Sequence, residues 1–477
     1  MTFPAGRQAT VVSLNQMPQE SRRRNRGIAT AALSGLFGKG TNLLVNAAIV
    51  PLTVRYLGSE GYGLWITISS AVTMFFVLDI GIATTLTNLI SEAYANNDEE
   101  RAASYFATAF WLVLGISALL GLTGLIFWPY IHWPSVFHVQ NPALVHDTNW
   151  AVAAAFIVFL CALPSGLATK VLGGYQELHA ANLFAAGGSL ASLLGVILVI
   201  HLHGSLPILV AAYAGSAAAA NAACLMWICL FHKPWLKPWP SRIKRNLIGD
   251  IFYSGGQFFL IQIAGLVVFN SDNLVISHYL SPAQVTPYNV TWRLVTYITV
   301  VPVLIVPALW PAYSEAYAKG DLAWIRLAYA RNRWITLTVL AAGCAVMLSI
   351  GRRIILLWAG AAAVPSVMLL RLMCVWMFIF AITLNQSCLM GATYRVGKQA
   401  IYGILAAAAN LILSILWVKT IGSAGVLIAT IVSYLVFIVA MQTWEVRRIL
   451  RGDFFAGSRN GIRSVGDAGR ASGETPL

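Results

Sequence analysis

Apolar runs of about 20 residues or more recur along nearly the whole chain, and no other feature restricts its fold so severely. In hydrocarbon an unsatisfied peptide group is costly, so a run that crosses a bilayer must close its own hydrogen bonds as a helix. Charged residues make up only 10% of the 477 positions and the mean hydropathy is +0.73. Soluble domains carry about 25% charged residues, so a water-soluble core is excluded.

The runs place spans at 28–54, 63–90, 104–130, 149–170, 180–202 and 206–231, then at 251–277, 287–315, 334–358, 366–390, 400–419 and 422–444. The expected fold is an all-α polytopic membrane protein of about 12 transmembrane helices. Its segments are a basic tail (1–27), a first six-helix bundle (28–231), a basic linker (232–250), a second six-helix bundle (251–445) and a disordered tail (446–477).

The net charge of +14 does not point to nucleic acid, because Lys and Arg collect at span ends and in the tails. Positive residues stay on the cytoplasmic side. Arg22, Arg23, Arg24 and Arg26 precede the first span. Lys233, Lys237, Arg242, Lys244 and Arg245 fill the linker, and Lys319, Arg326, Arg331 and Arg333 fill the next inner loop. The loops 131–148, 203–205 and 278–286 hold no Lys or Arg and are expected outside, against two exceptions: Arg352 with Arg353, and the acidic inner loop 92–101. Both termini are expected in the cytoplasm of a cell with a bacterial inner membrane.

The pentapeptide Ser91 to Ala95 recurs as Ser314 to Ala318, an offset of 223 residues that also carries Tyr56-Leu57 onto Tyr279-Leu280 and Asp98 onto Asp321. The chain therefore reads as a duplicated six-helix unit. Six is even, so both copies enter the membrane from one side and are related by an axis along its normal, as in parallel-repeat transporters.

Arg55-Tyr56-Leu57-Gly58 with Gly61-Tyr62-Gly63-Leu64-Trp65, then Asp79-Ile80-Gly81-Ile82 and the polar segment Ser91 to Glu100, resemble the Wzx-like oligosaccharide flippases of the multidrug/oligosaccharidyl-lipid/polysaccharide (MOP) exporter superfamily. Tyr279-Leu280 with Tyr288-Asn289, preceded by Asp272-Asn273, is similar to that family's second-half pattern. The resemblance spans about 28–445 and implies a MATE-like fold, two bundles facing a water-filled cavity. It also implies export of lipid carriers bearing O-antigen or exopolysaccharide units.

Ionisable residues inside spans are costly and therefore mark function or a partner. Lys39 and Asp79 lie at matching depth, roughly 16 Å from the inner boundary at 1.5 Å per residue, and Asp272 and Arg293 match about 8 Å from the outer one. Each half then carries a cation and an anion that pair either as a static clamp or as a gating or ion-coupling element. Lys39, Asn42 and Asn46 form one stripe at i, i+3 and i+7, which lines the cleft or bonds a neighbouring helix. Asn289 with Arg293, and Gln257 with Gln262, offer bonds to sugar hydroxyls or between helices. Arg371 is placed to meet a diphosphate or to snorkel to headgroups. Arg55 reads as an interface anchor, and Trp128, Tyr130 and Trp133 as an outer aromatic belt.

The six cysteines lie in apolar runs without ligand spacing and read as packing residues, and no nucleotide-binding, zinc-protease or serine-hydrolase string occurs. No catalytic residue, metal or cofactor is expected, so energy must come from elsewhere, a proton or sodium gradient or the membrane potential being the candidate sources. The reading is a secondary transporter flipping undecaprenyl-diphosphate-linked oligosaccharide by alternating access, with membrane lipids and a polysaccharide polymerase or export apparatus as partners. A MATE-type multidrug exporter is the first alternative. A polymerase or glycosyltransferase is the second, though the longest outer loop offers only Asp147 as a carboxylate. The charge bias predicts that a fluorescent-protein fusion after residue 452 fluoresces, whereas a periplasmic phosphatase is active when inserted within 131–148 and inactive when inserted within 232–250.

Overall fold

The computed structural model describes residues 19–75, 81–244, 247–249, 270–300, 302–303, 306, 309–318, 320–393 and 395–452. Among them the secondary structure is entirely helical. The first lobe comprises α1 (Gln19–Phe75), α2 (Ile82–Ala95), α3 (Glu99–Phe127), α4 (Pro142–Ser165), α5 (Leu167–Gly174), α6 (Leu178–His201) and α7 (Leu206–Trp227). The second comprises α8 (270–279), α9 (Pro282–Thr296), α10 (Trp310–Ala318), α11 (Leu322–Ala359), α12 (Val367–Ala392), α13 (Val396–Ile421), α14 (Ser423–Ser433) and α15 (Ala440–Arg451).

Eight helical stretches among the described residues are long and apolar enough to cross a membrane. The predicted first span and the first part of the second lie in α1, which bends at Gly58, where φ is +70° and a side chain would be strained; residues 76–80 of the second span lie outside the described residues and its end lies in α2. The predicted seventh and eighth spans fall partly outside the described residues, as do Gln257 and Gln262. The predicted fourth span divides into α4 and α5 just after Pro164, a residue that lacks the N–H of a regular helix.

The duplication has a physical content. Asp98 and Asp321 are both N-caps, accepting from Arg101 N at 2.9 Å and Trp324 N at 3.0 Å, and so start the third long helix of each lobe. Ser91 donates to Gly174 O and Ser314 to Ala392 O, each at 3.1 Å, tying the end of the second span to the end of the fourth in both lobes. The repeated pentapeptide is a joint, and its copies do the same job.

A further pair of joints uses opposite charges. Glu177 accepts from His232 at 2.6 Å and Lys233 at 3.0 Å, linking the start of α6 to the segment after α7. Burial alone would raise the Glu177 carboxyl, but those two hydrogen bonds and the neighbouring charges hold it below the usual range. In the second lobe the acid sits on the last helix instead. Glu445, fully buried, accepts from Arg395 at 2.6 Å and from Lys398, linking α15 to the start of α13. A buried acid paired with two cations resists separation, because removing either partner strands a charge.

The lobes meet at the predicted outer end. One buried apolar cluster draws on both, including Tyr62, Leu64 and Trp65 with Val285, Tyr288 and Trp376. Towards the other end the core splits, one cluster confined to the first lobe around Ile82 and Phe106, another to the second around Tyr313 and Ile325. The limb of α1 beyond Gly58 packs against α9 so closely that a Cβ on Gly63 would lie 1.7 Å from Pro282 O. Thr286 donates to Ser59 O beside it at 2.5 Å. Arg55, expected as an interface anchor, instead donates to Leu357 O of the second lobe at 2.9 Å. The short helix Trp133–Val136 adds a strap, with Ser277 donating to Phe137 O and His278 to Val136 O, both at 3.1 Å.

Gly63→Ala should therefore part the lobes at this end. Thiol labelling of a cysteine placed at Ser59, measured with an impermeant maleimide against the native background, should rise several-fold in the alanine variant. An unchanged rate would show that the contact is not needed for closure.

Candidate functional site

Where the core splits, a cavity of about 460 Å³ opens between the lobes. It is bounded by α1 and α7 on one side and by α8 and α9 on the other. Its chemistry is set by one cation. Arg293, carried on α9, donates through Nε to Asn289 Oδ1 at 3.0 Å and through Nη1 to Asn46 Oδ1 of α1 at 3.2 Å. The Asn289 bond spans one helical turn, i to i+4, so the sequence itself aims the guanidinium along α9. Each acceptor is also held from outside, since Tyr213 OH donates to Asn46 Oδ1 and Tyr62 OH to Asn289 Oδ1, both at 3.3 Å.

The cradle is neutral. No carboxylate lies within ion-pair distance of Arg293 among the described residues. The expected pairing with Asp272 is not formed. Asp272, on α8, accepts instead from Tyr288 OH at 2.5 Å. Tyr288 and Arg293 are five residues apart, or 140° round the helix, so α9 turns the acid's partner and the cation to different sides. Asp272 is 4% exposed, and besides Tyr288 its carboxylate has the Thr430 hydroxyl of α14 as a polar neighbour. Next to it, Asn273 Nδ2 donates across the lobes to Ser70 Oγ at 2.9 Å.

The polar stripe on the first limb of α1 divides in use. Asn46 lines the cavity. Asn42 donates to Ser189 Oγ on α6 at 3.2 Å, an interhelical bond, and accepts from Asn46. Lys39 is exposed on the same face as Leu43 and Asn46, one turn before the cavity. Asp79 lies outside the described residues. Arg371 is exposed on α12, 140° round that helix from Trp376, which stacks on Trp292 of the cavity wall at 6.0 Å. It is not among the residues that line the cavity.

The aromatic wall went unread in the sequence, where Trp and Tyr suggested interfacial belts. Trp65 meets Tyr213 edge-on at 5.1 Å, and Tyr288 stacks with Trp292 at 6.4 Å. A signal was present: Tyr288 and Trp292 recur at i and i+4 beside Asn289 and Arg293, and Tyr213 interrupts an Ala-rich run. Ring faces with amides and a fixed guanidinium can stack on apolar sugar faces, bond hydroxyls and grip an anion bidentately.

Residues 26–317 match the family described as Polysaccharide biosynthesis protein. A Salmonella typhimurium protein bearing the name O-antigen transporter is 25% identical over 316 residues, which are 64% of this chain and 69% of the relative. Among solved structures, an inward-facing multidrug resistance MATE family transporter of the MOP superfamily superposes with a TM-score of 0.73, over 86% of this chain and 96% of its own, at 17% identity. An outward-facing structure of such a transporter gives 0.63 over 89% and 95%, at 16% identity. At these identities the likeness is one of fold, and the fold is that of two parallel-repeat bundles.

Losing the hydrogen bonds of a charged group costs about 1.5–3 kcal/mol each. Arg293→Ala should accordingly lower transport at least about tenfold at unchanged membrane abundance, and Arg293→Lys should restore it only in part, because an ammonium lacks the planar fork. Arg371→Ala, outside the cavity, should stay within about twofold of the parent in the same transport measurement.

Proposed function

Because the chain belongs to the Polysaccharide biosynthesis protein family, we propose that it flips a lipid-linked oligosaccharide, the repeat unit of an O-antigen or exopolysaccharide carried on undecaprenyl diphosphate, from the inner to the outer leaflet. The observation that carries this reading is Arg293 in its neutral amide cradle, facing a cavity between lobes that, among the described residues, share a buried apolar core at one end. In a low-dielectric cleft such a cation attracts a diphosphate without first giving up a carboxylate. Lys39, one turn nearer the open end, is a second contact on the path inward. The name of the Salmonella relative supports the substrate class.

With both termini cytoplasmic, the joined end faces outward and the open end faces the leaflet where the carrier is loaded. The head would enter the cavity while its chain stays in the bilayer, since exposing that chain to water costs about 0.8 kcal/mol per CH₂. Binding shifts the equilibrium between inward- and outward-open lobes by its differential affinity for the two. Asp272 is the coupling candidate. A buried carboxylate that has hydroxyl neighbours but no cation within ion-pair distance among the described residues is stabilised by taking up a proton or a monovalent cation, and its bond to Tyr288 connects that event to the helix carrying Arg293. A fixed cation in the cavity disfavours the cationic drugs that a multidrug exporter of the same fold would carry.

The test is translocation of a fluorescent undecaprenyl-diphosphate oligosaccharide in proteoliposomes holding only this protein, with imposed proton or sodium gradients. Protein-dependent movement that one gradient accelerates is expected, and Asp272→Asn should abolish the acceleration while leaving slow downhill movement. No movement under either gradient in folded protein would overturn the reading, and efflux of a cationic dye in its place would establish the drug exporter.

A further inference from the structure

The outer limb of α1 has a second recess on its other side. About 200 Å³ in volume, it lies between α1, α3, α4 and the strap, and its wall is entirely apolar. Six aromatic side chains line it: Phe75, Phe127, Trp128, Trp133, Phe137 and Phe156. Phe75 and Phe127 are about half exposed, so the recess opens on the bilayer side of the lobe.

Its relation to the central cavity follows from helix geometry. Ile66, Ser69, Ser70 and Thr73 line the cavity, whereas Ile68, Ala71, Val72 and Phe75 line the recess. At 100° per residue the two sets fall on opposite faces of the same limb and at the same depth. One helix therefore separates a polar chamber from an apolar one. The recess also adjoins the closed end, because Phe137 on its rim accepts from Ser277 of the second lobe through its backbone oxygen.

The shape is maintained by a glycine. A Cβ on Gly124 would lie 2.6 Å from the Phe156 ring, so any larger residue would push that ring into the space. Water gains nothing in such a void, which has no polar partner to offer it. Rings facing empty space forfeit dispersion contacts that hydrocarbon would restore.

We propose that this recess binds the polyprenyl chain of the substrate whose head group occupies the central cavity; the proposal rests on the lipid-linked reading given above. A molecule joining a charged, hydroxylated head to a long chain is the ligand that needs a polar and an apolar chamber at one depth. Ring faces suit a chain of flat, unsaturated, methyl-branched units, and the surrounding lipid-facing surface is built mainly from Leu and Ile, as at Leu119, Leu122, Leu125 and Ile126. Chain binding at the rim beside Phe137 would then report the substrate's arrival to the contact that holds the lobes together.

The experiment is photolabelling of the full chain in vesicles with undecaprenyl phosphate bearing a diazirine near the chain end, followed by peptide mapping. Labelling concentrated on 68–75 and 120–127 is expected, reduced about tenfold by filling the recess with Ala71→Phe or, as a second variant, Thr123→Trp. A tenfold excess of phosphatidylglycerol should not compete. Label spread evenly over the lipid-facing helices, label indifferent to both folded variants, or equal competition by the phospholipid would each overturn the proposal. Localised labelling in protein that fails to translocate the head group would leave the chain site standing and remove the flippase reading instead.

Discussion

Contact between the outer limb of α1 and the start of α9 decides the form of everything beneath it. Gly63 brings two backbones together with no side chain between them, and among the described residues the buried cluster that draws on both lobes includes that contact. Below it the core divides, and the cavity is the space left by the division. Each lobe is braced separately at its far end, by Glu177 with His232 and Lys233 in one and Glu445 with Arg395 and Lys398 in the other. Braced lobes hinged at one end are suited to rocking as rigid bodies, the motion that alternating access requires.

The cavity's chemistry depends on keeping a cation without cancelling it. Asn46 and Asn289 hold the Arg293 guanidinium by their carbonyl oxygens, and two tyrosines orient those amides. A carboxylate in either place would have secured the arginine more firmly and taken away its appetite for an anion. Asp272 lies in the same wall yet spends its bond on Tyr288. Tyr288, the acid's partner, lies 140° round α9 from Arg293, so one wall keeps the acid and the base apart.

Much of the architecture was legible beforehand because the bilayer leaves so few options. Apolar runs of that length admit only helices, and the pentapeptide repeat pointed to a duplicated unit, whose copies the structure shows to be joints at Ser91 and Ser314. The candidate residues were legible less evenly. Depth along a helix can be counted from a span boundary, and Asp272 and Arg293 do line one cavity. Azimuth cannot be counted in the same way, since it depends on how each helix is rotated against its neighbours. Hence Arg371 does not line the cavity, Asn42 was spent on Ser189, and the expected acid–base pair was not made.

By itself the sequence determined that the chain spans a membrane as helices, that it is built from two copies of one unit, and that ionisable groups sit at membrane depth in both copies. Those properties follow from local composition and spacing, which act whatever the neighbours are. Tertiary structure alone decided which end of the lobes is joined, which polar groups face the cavity, and that two chambers of opposite character back onto one limb of α1. These depend on contacts between segments far apart in the chain, Gly63 with Pro282 and Arg293 with Asn46, and on helix rotations that no local pattern encodes.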